Sequence, residues 1–233
     1  MSSVDFIYFG GAFDPVHLGH IDAVKIVREA FPDAKITIIP GFIVPVAGGG
    51  VKAPATPFVD RVAMAVVAFD EWPLVDVSSM EEELPTPNYT VQTIEALVGD
   101  LPAARIGWMI GADQLANFTE WKNAKRILEL TSLIVLPRPA AKIDNTLQLA
   151  QTVATSLGFS VTVDSEHQRI DLDGGCSIHV MTKAPASISS SEVRALAAQS
   201  LSKVQNLVPH SVIEYIADLG LYQQVVEQSY LTT

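Results

Sequence analysis

Residues 4 to 31 read VDFIYFGGAFDPVHLGHIDAVKIVREAF, and a change of period inside this stretch sets the fold class. Val4 to Phe9 is short, apolar and rich in β-branched and aromatic residues, which predicts a buried strand; Gly10-Gly11 breaks it. Downstream, Ala23, Val24, Val27, Ala30 and Phe31 recur at three- and four-residue steps while Asp22, Lys25 and Glu29 take the other face, so an amphipathic helix follows and Pro32-Asp33 closes it. At the start of that helix, unpaired N–H groups and the positive end of the dipole lie beside glycines that let an anion approach the main chain. His17 and His20 sit there, three apart on one side, and both can donate to such an anion. Taken alone, the pair reads as anion donors, as surface histidines or as metal ligands, and Gly-Gly as a plain tight turn. The metal reading is the weakest, because no third soft ligand stands beside the pair.

Working outward, Ala34 to Ile39 predicts a second buried strand. A strand-helix-strand unit implies parallel pairing and a right-handed crossover, hence an α/β fold with a doubly wound, mainly parallel sheet. Gly41 to Thr56 is rich in glycine and proline and is expected to be irregular, a mobile active-site loop at the strand ends where α/β proteins bind ligands. Pro57 to Phe69 predicts a helix with Val59, Val62, Val66 and Phe69 packed and Asp60 and Arg61 on the exposed edge. Leu74 to Val77 is a short strand candidate, and Glu81, Glu82 and Glu83 read as a solvated run with no catalytic role.

Asn88 to Leu97 opens another helix, capped by Asn88 or Thr90. Arg105 to Ile110 predicts a strand that runs into Gly111-Ala112-Asp113; Asp113 is a turn former or, if this strand lies beside the first, an acceptor for ribose hydroxyls. Trp121, in FTEWK, either caps a core or offers a stacking face to a planar ligand. A short helix over 124–130, a strand over 132–136 and the rigid exit Pro137-Arg138-Pro139 follow, then a helix over 145–157 and extra strands around 159–181, where His167 and His179 read as structural. ISSSEVR, Ile188 to Arg194, is explained as an N-cap cluster, yet it is also a second anion site with Arg194 one turn in. A proline-started helix ends at Gly220. One domain is expected over 1–233, with a helical C-terminal part from about 187.

The chain has 233 residues, 48% of them hydrophobic, enough for a sizeable core. With 26 acidic and 15 basic residues and a net charge of −11, it lacks the overall basic balance of a nucleic-acid binder. A single cysteine, Cys176, precludes an internal disulfide and fits a reducing compartment. With neither a signal-like N-terminal segment nor an apolar run of roughly 18 residues, the expectation is a cytoplasmic protein without a membrane partner.

GGAFDPVHLGH, Gly10 to His20, resembles the signature of the HxGH adenylyltransferase and cytidylyltransferase superfamily. NYTVQT, IGADQL, FTEWK, LIVLPRP, ISSSEVR and IADLGLY then follow in an order similar to that of bacterial nicotinate-nucleotide adenylyltransferases. That resemblance implies a Rossmann-like topology and transfer of AMP from ATP to nicotinic acid mononucleotide, with Mg²⁺ carried mainly by the ATP phosphates and a homo-oligomer as one possible state. It implies that His17, His20 and Arg194 are catalytic and that Gly10, Gly11, Phe13, Ile188, Ser189 and Ser191 join them around ATP, with Asp113 on its ribose. It places Thr90, Trp121, Lys122 and Arg138 on the mononucleotide. Two departures stand out. Val44-Pro45-Val46-Ala47-Gly48 replaces a PPHK-like segment, with Lys52 as the nearest substitute, and Ser191 stands where threonine is usual. The related pantetheine-phosphate enzymes share HxGH but are usually shorter and lack the YTxxT and Trp pair.

Overall fold

A computed structural model describes residues 4–46, 50–52, 54–139 and 143–223. The first strand, β1 (Phe6–Gly11), leads into α1 (Leu18–Ala30) and returns as β2 (Lys35–Pro40), parallel to β1. The stretch after β2 departs from the irregular loop expected of it: β3 (Val44–Val46) and β4 (Gly50–Lys52) pair antiparallel as a small hairpin. Ladder hydrogen bonds come from the main chain, so a stretch rich in glycine and proline can still pair. Residues 47–49 and 53 lie outside the described part.

Next come α2 (Phe58–Phe69) and β5 (Val75–Val77), then α3 (Thr90–Asp100) and β6 (Ile106–Gly111). Two short helices, α4 (Ala112–Ala116) and α5 (Ala124–Leu130), precede β7 (Ser132–Leu136), and α6 (Ile143–Ser156) leads to the hairpin strands β8 (Val161–Asp164), β9 (Arg169–Leu172) and β10 (Ser177–Val180). The sheet order is β5-β2-β1-β6-β7-β10-β9-β8. The strands from β5 to β10 in that order are parallel, and β9 alone runs against them, pairing antiparallel with both β10 and β8. The doubly wound expectation is met, with the extra hairpin at one edge.

Strand side chains alternate between two apolar cores, because successive Cβ atoms leave opposite faces of the pleat. Ile7, Ile36, Ile38, Met109 and Ile134 face a core closed by α1, α2 and two C-terminal helices, α7 (Ser190–Ala197) and α8 (His210–Leu219). Tyr8, Trp108, Ile110, Leu133 and Val135 face a core closed by α3, α4, α5 and α6. The expected packed face of α2 is rotated. Arg61, Met64, Ala65, Ala68 and Phe69 point inward, whereas Val59 is 70% and Val66 45% exposed. Both stripes have helical spacing; Arg61 is drawn in because carbonyl oxygens wait for its guanidinium, which hydropathy does not register.

Candidate active site

β1 is the strand at which the winding reverses: β2 and β5 lie to one side of it and β6 to the other. Loops leaving the carboxyl ends of β1 and β6 therefore diverge and leave a crevice, the usual ligand position in such sheets. The sequence condition on Asp113 is thereby met, since β6 pairs with β1 in register Phe6 to Ile106 and Tyr8 to Trp108. Gly10 is required by packing here: a Cβ would stand 2.5 Å from the Trp108 ring.

The turn from β1 into α1 is largely dry. Asp14 and His17 are buried, and Phe13 is turned inward at φ 48 with its ring 4.9 Å from that of His20, so Phe13 can offer a ligand only its main chain. His17 and His20 do not stand side by side as two outward donors. Their rings stack 3.6 Å apart at 20°, and the His17 N–H donates to His20 Nδ1 at 3.2 Å. Burial lowers the pKa of His17 to about 4, and burial followed by the neighbouring His17 holds that of His20 well below the ordinary value. Both imidazoles are neutral at pH 7. Because His20 Nδ1 accepts, its proton sits on Nε2, which makes that nitrogen a donor. His17 Nδ1 is buried without a partner among the described residues. Gly19 is set by close approach: a Cβ there would stand 2.7 Å from the Ala186 carbonyl oxygen.

The start of α7 closes on the same turn. Ser189 caps it by accepting from the Glu192 N–H at 3.2 Å, Ser190 donates to the Pro15 carbonyl at 3.1 Å, and Ile188 packs on the core below. Arg194 donates to the Asp14 carbonyl at 2.6 Å and to Ser191 Oγ at 3.3 Å. ISSSEVR is thus both a cap and a docked neighbour of the signature turn.

Across the crevice lies a cleft of about 470 Å³ whose lining runs from Gly10 and Gly11 to Thr90, Asp113, Trp121 and Lys122. Thr90 begins α3, capped by Tyr89, whose N–H donates to Gln92 Oε1 at 2.9 Å. Trp121 is half-buried, 5.2 Å from Phe118, and Lys122 Nζ lies 4.0 Å over the Tyr89 ring, a cation–π contact. Asp113 forms an exposed ion pair with Arg138 at 2.7 Å. The expected residues therefore gather in two groups: His17, His20, Ser189, Ser191 and Arg194 around the signature turn, and Thr90, Asp113, Trp121, Lys122 and Arg138 along or beside the cleft. The glycine turn joins the groups.

Several residues that organise the site escape sequence reasoning. Glu81 does not lie on a solvated run: it is buried on the cleft wall, where it accepts from the Phe42 N–H at 3.1 Å and from Thr93 Oγ1 at 2.9 Å, and burial raises its pKa. Asn88, rather than capping α3, is stitched to the loop after β2, accepting from the Ile43 N–H at 2.9 Å and donating to the Glu81 carbonyl at 2.8 Å. Arg61 is 1% exposed and donates to the carbonyls of Ala12, Thr56 and Phe42, which belong to three separate loops. Nothing in a run of three glutamates marks which one turns inward. An arginine in an otherwise apolar helix face was the one legible signal for the other case.

A cytidylyltransferase-like family model matches residues 8–196. The sequence is 34% identical over 219 residues to a protein of Acidithiobacillus ferrooxidans named "Probable nicotinate-nucleotide adenylyltransferase", covering 94% of this chain and 96% of that one. The chain belongs to the nicotinate-nucleotide adenylyltransferases. The fold is similar to that of a nicotinic acid mononucleotide adenylyltransferase of Plasmodium falciparum, at 15% identity and 94% coverage of this chain. That enzyme is solved with APC, at a TM-score of 0.67 and 97% coverage of that chain, and with NaAD, at 0.66. Among the described residues no three His, Cys, Asp or Glu side chains converge as a metal site, and no helix is long and apolar enough to cross a membrane.

Proposed function

We propose that this chain transfers AMP from ATP to nicotinic acid mononucleotide, releasing pyrophosphate and nicotinic acid adenine dinucleotide. The observation that carries the reading is a continuous cleft that runs from Gly10-Gly11 to Thr90 and Trp121, because both substrates must lie along one line for their phosphates to meet. The mononucleotide phosphate oxygen attacks the α-phosphorus of ATP in line, and the bond to the β-phosphate oxygen breaks as pyrophosphate leaves. No covalent enzyme intermediate is required.

The chain's own groups bind and orient. The Gly10-Gly11 turn and the N-terminal ends of α1 and α7 receive the ATP phosphates, and Arg194 supplies a permanent charge. The neutral His20 donates from Nε2 to phosphate oxygens, which costs less desolvation than an imidazolium would in that dry turn, and His17 stacks behind it. Asp113 takes the adenosine ribose, exchanging the contact with Arg138 for hydroxyl groups, and Arg138 is released toward the mononucleotide phosphate. Thr90 and the N–H groups at the start of α3 receive the nicotinate carboxylate, Lys122 adds charge at the rim, and Trp121 stacks on the pyridine ring. Mg²⁺ fits as an ion brought by the ATP phosphates, since no all-protein donor set faces the crevice among the described residues, and it neutralises phosphate charge when bound.

Pyrophosphate release from ATP and Mg²⁺ with nicotinic acid mononucleotide tests the reading. Much faster release with the amide mononucleotide would overturn the acceptor; ATP binding without release would overturn the enzyme.

A further inference from the structure

The deepest charged group of the signature turn is Asp14, 2% exposed. Its carboxylate is satisfied in an unexpected way. Oδ2 accepts from the Ala55 N–H at 2.6 Å and Oδ1 from the Tyr222 hydroxyl at 2.7 Å, whereas the nearby Arg194 guanidinium stays 3.8 Å away. The same Arg194 nitrogen donates instead to the main-chain oxygen of Asp14, at 2.6 Å. Arg61, whose charge also faces Asp14, is committed to three carbonyls.

A buried carboxylate does not stay unpaired. Were Oδ1 to lose the Tyr222 hydroxyl, the carboxylate would draw on the Arg194 guanidinium, a nitrogen of which already stands 3.8 Å from Oδ2. Asp14 and an incoming phosphate therefore compete for one guanidinium, and the two other donors on Asp14 decide the contest in favour of phosphate.

The donor comes from far along the chain. Tyr222 lies 208 residues after Asp14, just past the left-handed Gly220 that ends α8, and its own φ is 63, a conformation that side chains other than glycine rarely adopt. Such a residue persists where its surroundings hold it, and here the hydroxyl is held between Asp14 and the Met64 sulfur at 4.0 Å. Burial first, with the hydrogen bond to Asp14 and its charge adding to it against an opposing contact from Thr56, pushes the phenol's pKa far above its ordinary value, so the donated proton is retained at any working pH.

We infer that Tyr222 is a positioning residue for Arg194: by saturating Asp14 it leaves the guanidinium available to the ATP phosphates. The inference rests on the reading of Arg194 as an ATP ligand. It also gives the C-terminal turn a part in the site, which the cleft lining does not suggest.

Tyr222→Phe removes the hydroxyl and keeps the ring. Calorimetric titration of the full chain with MgATP alone should show affinity reduced about five- to tenfold, with KM for ATP rising in step and KM for nicotinic acid mononucleotide within about twofold of the parent. A lower melting temperature with unchanged ATP affinity would mean a stabilising role only and would overturn the inference. In an Asp14→Asn background, where no charge competes for Arg194, the same substitution should change ATP affinity less than twofold; an undiminished effect there overturns it. If that background does not fold, Arg194→Gln, which removes the charge under contest, serves in its place with the same two outcomes. A parent protein that binds ATP but leaves the mononucleotide untouched would retire the acceptor assignment and keep this titration readable. Absence of ATP binding by the parent overturns both.

Discussion

The two ends of the crevice are built on different principles. The turn around His17 and His20 is dry, assembled from contiguous residues, and held by stacked rings and main-chain hydrogen bonds. The wall carrying Thr90, Trp121 and Lys122 is open to solvent and is assembled from segments separated by tens of residues, tied together beneath the surface by Glu81 and Asn88. The contrast suits the roles proposed for the two ends. Stabilising charge that develops on phosphates requires preorganised donors shielded from water. Choosing an acceptor requires a few side chains on loops, where exchange does not disturb a core.

The sharpest way to break this comparison is His20→Ala. Loss of one preorganised donor should lower kcat by about 10²–10³, with KM for the mononucleotide within about threefold. A near-normal kcat would remove His20 from the chemistry and leave the dry turn a mere scaffold.

Acid stability separates buried imidazoles from the solvated wall. Burial lowers His17 and His179 from 6.5 to about 4. Between those two values the unfolded chain binds a proton that the folded chain refuses, so stability is full above about pH 6.5, falls as pH drops toward 4, and levels off below. Each residue accounts for roughly 3 kcal/mol across that window. Replacing His179, which is remote from the crevice and packs on Phe31, with Gln should flatten the acid limb by about 2–3 kcal/mol in denaturant titrations at pH 4 and 7. An unchanged limb would show that His179 is protonated in the folded state.

Trp121→Ala should raise KM for the mononucleotide about tenfold, the scale of one lost aromatic stacking contact, and leave KM for ATP within about twofold. Equal changes in both constants would mean that the two ends are not separate. The smallest effect expected is on stability in Arg138→Gln: an exposed pair with Asp113 contributes no more than about 1 kcal/mol, so the melting temperature should move by less than about 3 °C. A larger drop would make that pair a structural tie between the loops after β6 and β7.

Legibility in the sequence follows the same division. The dry end was readable because strand, glycine turn and helix start are consecutive, and each carries its own local rule: β-branched residues, Gly10-Gly11, and apolar residues at helical spacing. The Asp113 position was readable as a conditional, and only the pairing of β6 with β1 satisfied the condition. The inward turn of Arg61 was misread because hydropathy cannot count carbonyl oxygens supplied by Ala12, Phe42 and Thr56. Glu81 was misread for a similar reason, since Glu82 and Glu83 beside it are exposed and the three are chemically identical.

By itself, then, the sequence determined the α/β winding and the two helix starts that can receive anions, which rest on neighbours within a turn or two of the chain, and the order of motifs that marks the family. Tertiary structure alone decided the protonation and stacking of His17 and His20, the burial of Arg61 and Glu81, the pairing of β3 with β4, and the reach of Tyr222 to Asp14. The burials and the Tyr222 contact depend on which distant group arrives to replace water, and no local pattern encodes that.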